Sequence, residues 1–153
     1  MKNAWKELFP IFAGGVLAAS IPGFSYAASL GLCGSSATQR YLIPDGICVF
    51  PNGDVRPFAC NMPHAKLVPF TNACEQHDNC YGAKGTKKST CDTQFYKNLN
   101  SACRSTLTNS FPEAGRRACY QFATTYNDTV RTKGCEAFKK AQQQQGVRNP
   151  VCD

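Results

Sequence analysis

Apolar positions recur at three- and four-residue spacing only in the second half of the chain. From Thr71 to Tyr81 the residues Cys74, His77, Cys80 and Tyr81 share one helical face, and Gly82 with Gly85 supplies a stop. A second helix is expected from Ser89 to about Leu107, with Phe95, Tyr96, Leu99, Ala102, Cys103 and Leu107 in helical period. A third begins near Ser110 and Pro112 and carries Ala118, Cys119, Phe122, Ala123, Tyr126 and Val130 on one side. It ends or bends at Gly134, after which Cys135 to Ala141 continues as helix. Thr71 or Asn72, Ser89 with Asp92, and Ser110 with Glu113 are the expected N-terminal caps. The run Gln142 to Gln145 reads as a polar frayed end, with Cys152 tying the tail back.

The first half has no helical period. From Ala28 to about Phe70 it is rich in Gly, Pro, Ser and Asn, and Pro44-Asp45-Gly46, Pro51-Asn52-Gly53-Asp54 and Asn61-Met62-Pro63 signal turns. An irregular, disulfide-stapled region is expected there, with a small hairpin of Arg40–Ile43 and Ile47–Phe50 around Pro44-Asp45-Gly46. Residues 1–27 read as a signal peptide. Lys2 and Lys6 precede the apolar run Ile11 to Ala19, and Ser25-Tyr26-Ala27 offers a cleavage site. That run is short of the roughly 20 residues of a spanning helix and is broken by Gly14-Gly15 and Pro22, which disfavours a membrane anchor. A single domain, residues 28–153, follows.

Composition supports export. All ten cysteines lie after the proposed cleavage point, an even number that suits five disulfides in an oxidising compartment. The Cys74 to Cys80 spacing is not that of a zinc knuckle. The formal charge is +7, and loss of Lys2, Lys6 and Glu7 with the signal leaves +6. A basic exported chain favours anionic membranes, polyanions or cell walls. No nucleic-acid-binding fingerprint is present, so nucleic acid is not an expected partner.

The chemistry converges on Ala73-Cys74-Glu75-Gln76-His77-Asp78-Asn79-Cys80-Tyr81-Gly82. If the first two helices are antiparallel across the short loop Gly82 to Lys88, Cys80 lies opposite Cys91 and His77 near Asp92. A Cys80–Cys91 bond there would fix the register, worth about 3 kcal/mol in the chain-entropy model. Asp92 then accepts a hydrogen bond from one imidazole nitrogen and leaves the other as a general base. No serine or cysteine is placed as a nucleophile, so water is the natural substrate for that base. Asp78, rotated by about 100° from His77, is placed to hold a divalent cation, although one carboxylate falls short of the six to eight oxygens calcium takes. The bland reading makes Asp92 a helix-N-terminal carboxylate only. His64, in a Pro-flanked loop, is expected at the surface. Lys84, Lys87, Lys88, Arg116 and Arg117 read as solvated faces or a basic rim at the cleft mouth, and Asn127-Asp128-Thr129 is a glycosylation sequon.

The motif from Ala73 to Gly82, followed by Cys91-Asp92, resembles the active-site signature of secreted phospholipase A2. With Leu67-Val68-Pro69-Phe70 before it and Cys91-Asp92-Thr93-Gln94-Phe95 and Cys103 after it, the layout is similar to the short branch of fungal, bacterial and cone-snail type enzymes. The resemblance implies a mainly α, disulfide-rich fold with an antiparallel helix pair. It implies calcium-dependent hydrolysis of the sn-2 ester of glycerophospholipids, releasing lysophospholipid and fatty acid. His77 is then the base, Asp92 its partner, Tyr81 a supporting donor to Asp92 and Asp78 the calcium carboxylate. It also implies Cys80–Cys91 and suggests Cys60–Cys74. The glycine-rich calcium loop of venom and pancreatic enzymes is absent, and residues 61–66 are the candidate source of calcium carbonyls. The expected partner is an anionic phospholipid surface, met by a monomer. The rival readings are a catalytically silent binding protein or toxin on the same scaffold, and a basic membrane-active protein. Retention of His77, Asp78 and Asp92 together argues against the first, because a bare scaffold needs only the cysteines.

Overall fold

A computed structural model describes residues 45–57 and 60–153. The proposed signal peptide and the Arg40–Ile43 hairpin arm lie outside the described residues. Ile47, Cys48 and Val49 are wholly buried, and this β-rich run forms the centre of a small antiparallel sheet. Strand β1 (Gly46–Val49) is flanked by β2 (Val55–Arg56) and β3 (Lys66–Pro69), in the order β2-β1-β3. Val49 pairs with Val55 and Ile47 with Val68. The turn after Phe50 thus closes a hairpin with β2, and Lys66–Pro69 adds a strand where only an irregular lead-in is expected. Pro69 ends an edge strand, where its missing N–H is harmless.

Four helices follow: α1 (Thr71–Gly82), α2 (Lys88–Thr106), α3 (Glu113–Lys133) and α4 (Cys135–Gln144). The chain is mainly α and disulfide-rich, as its periodicity predicts. Cross-links give the helix directions. Cys80 bonds Cys91 and Gln76 bonds Asn98, so α1 and α2 are antiparallel. Cys103 bonds Cys119 and Tyr96 meets Thr124, so α2 and α3 are antiparallel too. Between sheet and helices lies one core of Ile47, Val49, Val68, Phe70, Phe95, Leu99 and Tyr126. A second cluster of Tyr81, Cys91 and Phe138 joins α4 to the α1–α2 pair. Among the described residues no helix is long and apolar enough to cross a membrane.

Several local expectations need correction. Cys60 bonds Cys48, not Cys74, because the β1–β2 hairpin returns the chain to its own strand within 12 residues. Cys74 is also disulfide-bonded, from the buried side of α1. Cys135 bonds Cys152, which ties down the tail. None of the four helices has a side-chain N-cap of its own. Asn72 instead accepts from Gln76, Glu113 pairs with Arg117, and Ser89 gives its backbone N–H and hydroxyl to Asp153. Gln142 is not frayed: it is 2% exposed and fixes the loop between α1 and α2. Its side-chain N–H groups reach the carbonyls of Tyr81 (2.7 Å) and Ala83 (2.8 Å), and its oxygen accepts from the Gly85 N–H (2.9 Å). Asn127, the sequon asparagine, is buried on α3 and inaccessible to a glycosyltransferase in the folded chain.

Candidate active site

His77 and Asp92 meet across the α1–α2 interface. His77 Nε2 donates to Asp92 Oδ1 at 2.9 Å, and both side chains are more than nine-tenths buried. The Cys80–Cys91 bond lies one helical turn away along α1 and beside Asp92 along α2, so it sets the register that brings them together. The imidazole lies between the rings of Tyr81 and Phe95, at centroid distances of 4.1 and 4.6 Å. Its orientation is therefore fixed by packing as well as by the carboxylate. With Nε2 committed to Asp92, Nδ1 is the nitrogen left for proton transfer.

Asp92 accepts three side chains. Tyr81 Oη donates to Oδ1 at 2.7 Å, alongside His77, and Lys88 Nζ donates to Oδ2 at 2.6 Å. Burial alone would push this carboxyl up, but the bonds from His77, Lys88 and Tyr81 outweigh it and hold its pKa below the usual carboxylate range. The Tyr81 phenol is pushed up, first by burial and then by Asp92, so it stays a donor. Asp92 is thus no mere helix-end carboxylate.

Lys88 is the member of this network that sequence reasoning misplaced. Lys84 and Lys87 are exposed as expected, but Lys88 is 3% exposed and its ammonium also reaches the carbonyls of Val130 (3.2 Å) and Arg131 (3.0 Å) at the end of α3. The missed signal is its position: Lys88 and Asp92 are four residues apart, so they share a face. Gly134 completes the enclosure. A Cβ there would stand 2.9 Å from Tyr81 Oη, 3.4 Å from Lys88 Cε and 2.5 Å from the Val130 carbonyl.

Asp78 is exposed on α1, beside His77 in sequence, and its charge adds to the rise of the Tyr81 phenol. Among the described residues, no three His, Cys, Asp or Glu side chains gather as a metal-binding group. Burial, followed by the charges of Asp45 and Asp78, raises the Tyr126 phenol, so these two carboxylates act on one region of the core. His64 is exposed with φ +65° in the turn where the Ala65 N–H meets the Met62 carbonyl. A polar recess of about 570 Å³ borders Lys88, Asp92, Arg131 and Asp153, but its lining excludes His77, Tyr81 and Phe95.

Residues 47–150 match the family model described as group XII secretory phospholipase A2 precursor. The chain belongs to that family. It shares 28% identity over 120 residues with the human group XIIA secretory phospholipase A2, covering 72% of this chain and 64% of the relative. The mouse group XIIA protein is 28% identical over 92 residues, 60% of this chain and 48% of its own length. The mouse group XIIB secretory phospholipase A2-like protein is 36% identical over 77 residues, 50% and 40% of the two chains. The chain thus spans between two fifths and just under two thirds of the length of these curated relatives. No solved structure was found to match. Membership places the chain in a secretory phospholipase A2 superfamily, as the motif implies, with group XII as the matching branch in place of the short fungal, bacterial and cone-snail one.

Proposed function

We propose that this group XII member is an exported, calcium-dependent phospholipase A2 that hydrolyses the sn-2 ester of glycerophospholipids. The observation that carries the reading is the buried His77 Nε2–Asp92 Oδ1 bond of 2.9 Å. It leaves Nδ1 to take a proton from water as the water oxygen attacks the ester carbonyl. Asp92 stabilises the imidazolium, and the same proton then passes to the departing alkoxide. Tyr81 and Lys88 hold Asp92 in place throughout.

A hard divalent cation suits the oxygen chemistry of Asp78, which would hold it together with backbone carbonyls ahead of α1, residues 61–66 being the sequence candidates. Bound there, calcium supplies positive charge for the oxyanion. Asp78 is exposed on α1 next to His77, which supports this role. The substrate surface proposed is an anionic membrane, attractive to a chain whose formal charge is +6 once Lys2, Lys6 and Glu7 leave with the signal, with the protein acting as a monomer and an apolar cleft admitting the acyl chain.

Release of sn-2 fatty acid from phosphatidylglycerol and phosphatidylcholine vesicles, in calcium and in chelator, tests the reading. Release is expected only with calcium, and His77→Gln should reduce it by about 10²- to 10⁴-fold. A folded, oxidised sample inert on both lipids would shift support to a silent binding protein. The relative named phospholipase A2-like favours that second reading.

A further inference from the structure

We propose that Lys88 is a positioning residue of the His77–Asp92 pair, fixing the plane in which the Asp92 carboxylate meets the imidazole and thereby the imidazole tautomer. The inference rests on the general-base reading of His77. An ammonium has three N–H donors, and here they meet Asp92 Oδ2 at 2.6 Å, the Arg131 carbonyl at 3.0 Å and the Val130 carbonyl at 3.2 Å. All three are spent inside the protein. Lys88 therefore contributes nothing to a basic outer surface, unlike Lys84 and Lys87.

The three acceptors belong to two helices, so the ammonium is fixed from α2 and from the end of α3 together. Its hold on Oδ2 has a definite result at the other oxygen. Oδ1 remains for two donors, Tyr81 Oη and His77 Nε2. A half-turn of the carboxylate about its last torsion only exchanges two equivalent oxygens, but any lesser tilt of its plane would draw Oδ2 away from Lys88 and Oδ1 out of line with His77. A carboxylate that cannot rotate offers the imidazole one acceptor in one direction, which keeps the proton on Nε2 and Nδ1 open.

A salt bridge kept for stability alone would be a poor use of this position. Desolvating an ammonium and a carboxylate offsets most of their attraction, and packed apolar groups of similar volume often serve stability as well or better. The arrangement instead combines charge and direction. Gly134 supports this reading, because a Cβ at that corner would approach both Lys88 Cε and Tyr81 Oη, the two other supports of Asp92.

Lys88→Met and Lys88→Arg in the full oxidised chain test the proposal. The first readout is the ¹⁵N shift pattern of the neutral His77 ring. The native chain should show the Nε2–H tautomer alone, Lys88→Met a mixture, and Lys88→Arg a return to the native form. The second readout is kinetic, on phosphatidylglycerol vesicles. Lys88→Met should lower kcat by about 10- to 100-fold, the usual loss when a partner that orients a functional histidine is removed, with KM within about threefold, and Lys88→Arg should restore at least about a third of it. A folded Lys88→Met chain with a single Nε2–H tautomer and kcat within twofold would overturn the proposal. Equal impairment of the Met and Arg variants would do the same, because it would point to packing alone. If Lys88→Met does not fold, Lys88→Gln, neutral yet able to donate, carries the same comparison against Lys88→Arg. The tautomer readout needs no turnover, so an inert native chain would defeat the enzymatic reading while leaving this one to be judged by the ring.

Discussion

Asp92 combines more bonds than its place in the sequence announces, and that density governs the predictions at the scale of single residues. Removing the Tyr81 hydroxyl with Tyr81→Phe takes one of two donors from Oδ1 and leaves His77 in place. The expected loss is about 1 kcal/mol of unfolding free energy by urea titration, with fatty-acid release falling less than in His77→Gln. The lowered pKa of Asp92 carries a sign for stability. A carboxylate depressed on folding contributes stability that is full above its unfolded pKa of about 3.9 and disappears as pH falls through the lower folded value. Urea midpoints should therefore decline on acidification below about pH 4, and Asp92→Asn should flatten that decline. The pairing of His77 with Asp92 could be read from the chain because two cysteines flank the gap and any bond between them constrains the register. Lys88 could not be placed in the same way. A lysine in a run of lysines looks like a solvated face, and only the end of α3, distant in sequence, supplies the carbonyls that make its burial tolerable.

At the scale of elements, helical periodicity located all four helices within a few residues, whereas local capping rules misjudged how they begin. The reason is tertiary competition. Asp92 is drawn into the α1–α2 interface, and the start of α2 is instead met by Asp153 from far along the chain. Short strands were harder to read than helices. β2 has only two residues, and β3 exists because Val68 finds Ile47, a pairing with no local signal. Gln142 shows the same principle in reverse, since a polar run that looks frayed holds the loop on which the helix pair depends. Gln142→Leu should leave the Gly85 N–H and the carbonyls of Tyr81 and Ala83 short of partners, costing about 2–3 kcal/mol in chemical denaturation. At the α3–α4 corner, Gly134→Ala would force backbone or the Tyr81 ring to shift. About 1–3 kcal/mol of destabilisation is expected, with activity falling further than stability alone explains when both are measured at one temperature.

On the scale of the whole molecule, the described residues join a small sheet and four helices through one main core, and the family match over residues 47–150 spans all of these elements but the first residue of β1. The chain's charge was legible at once, and its use depends on placement. Binding to anionic vesicles should weaken steeply with added salt, by about 1 kcal/mol for each Lys or Arg that reaches the lipid surface. A flotation assay with and without phosphatidylglycerol checks this, and unchanged binding to neutral vesicles would point to apolar contact through residues such as Met62 and Leu67, which are 43% and 46% exposed. The four described disulfides share one further property. Cys48–Cys60, Cys80–Cys91, Cys103–Cys119 and Cys135–Cys152 span 12, 11, 16 and 17 residues, and no ring overlaps another. A chain threaded amino end first into an oxidising compartment can close each ring before the next pair of thiols arrives. These four bonds, though not that of Cys74, are therefore suited to vectorial assembly, in which the order of emergence favours neighbouring partners.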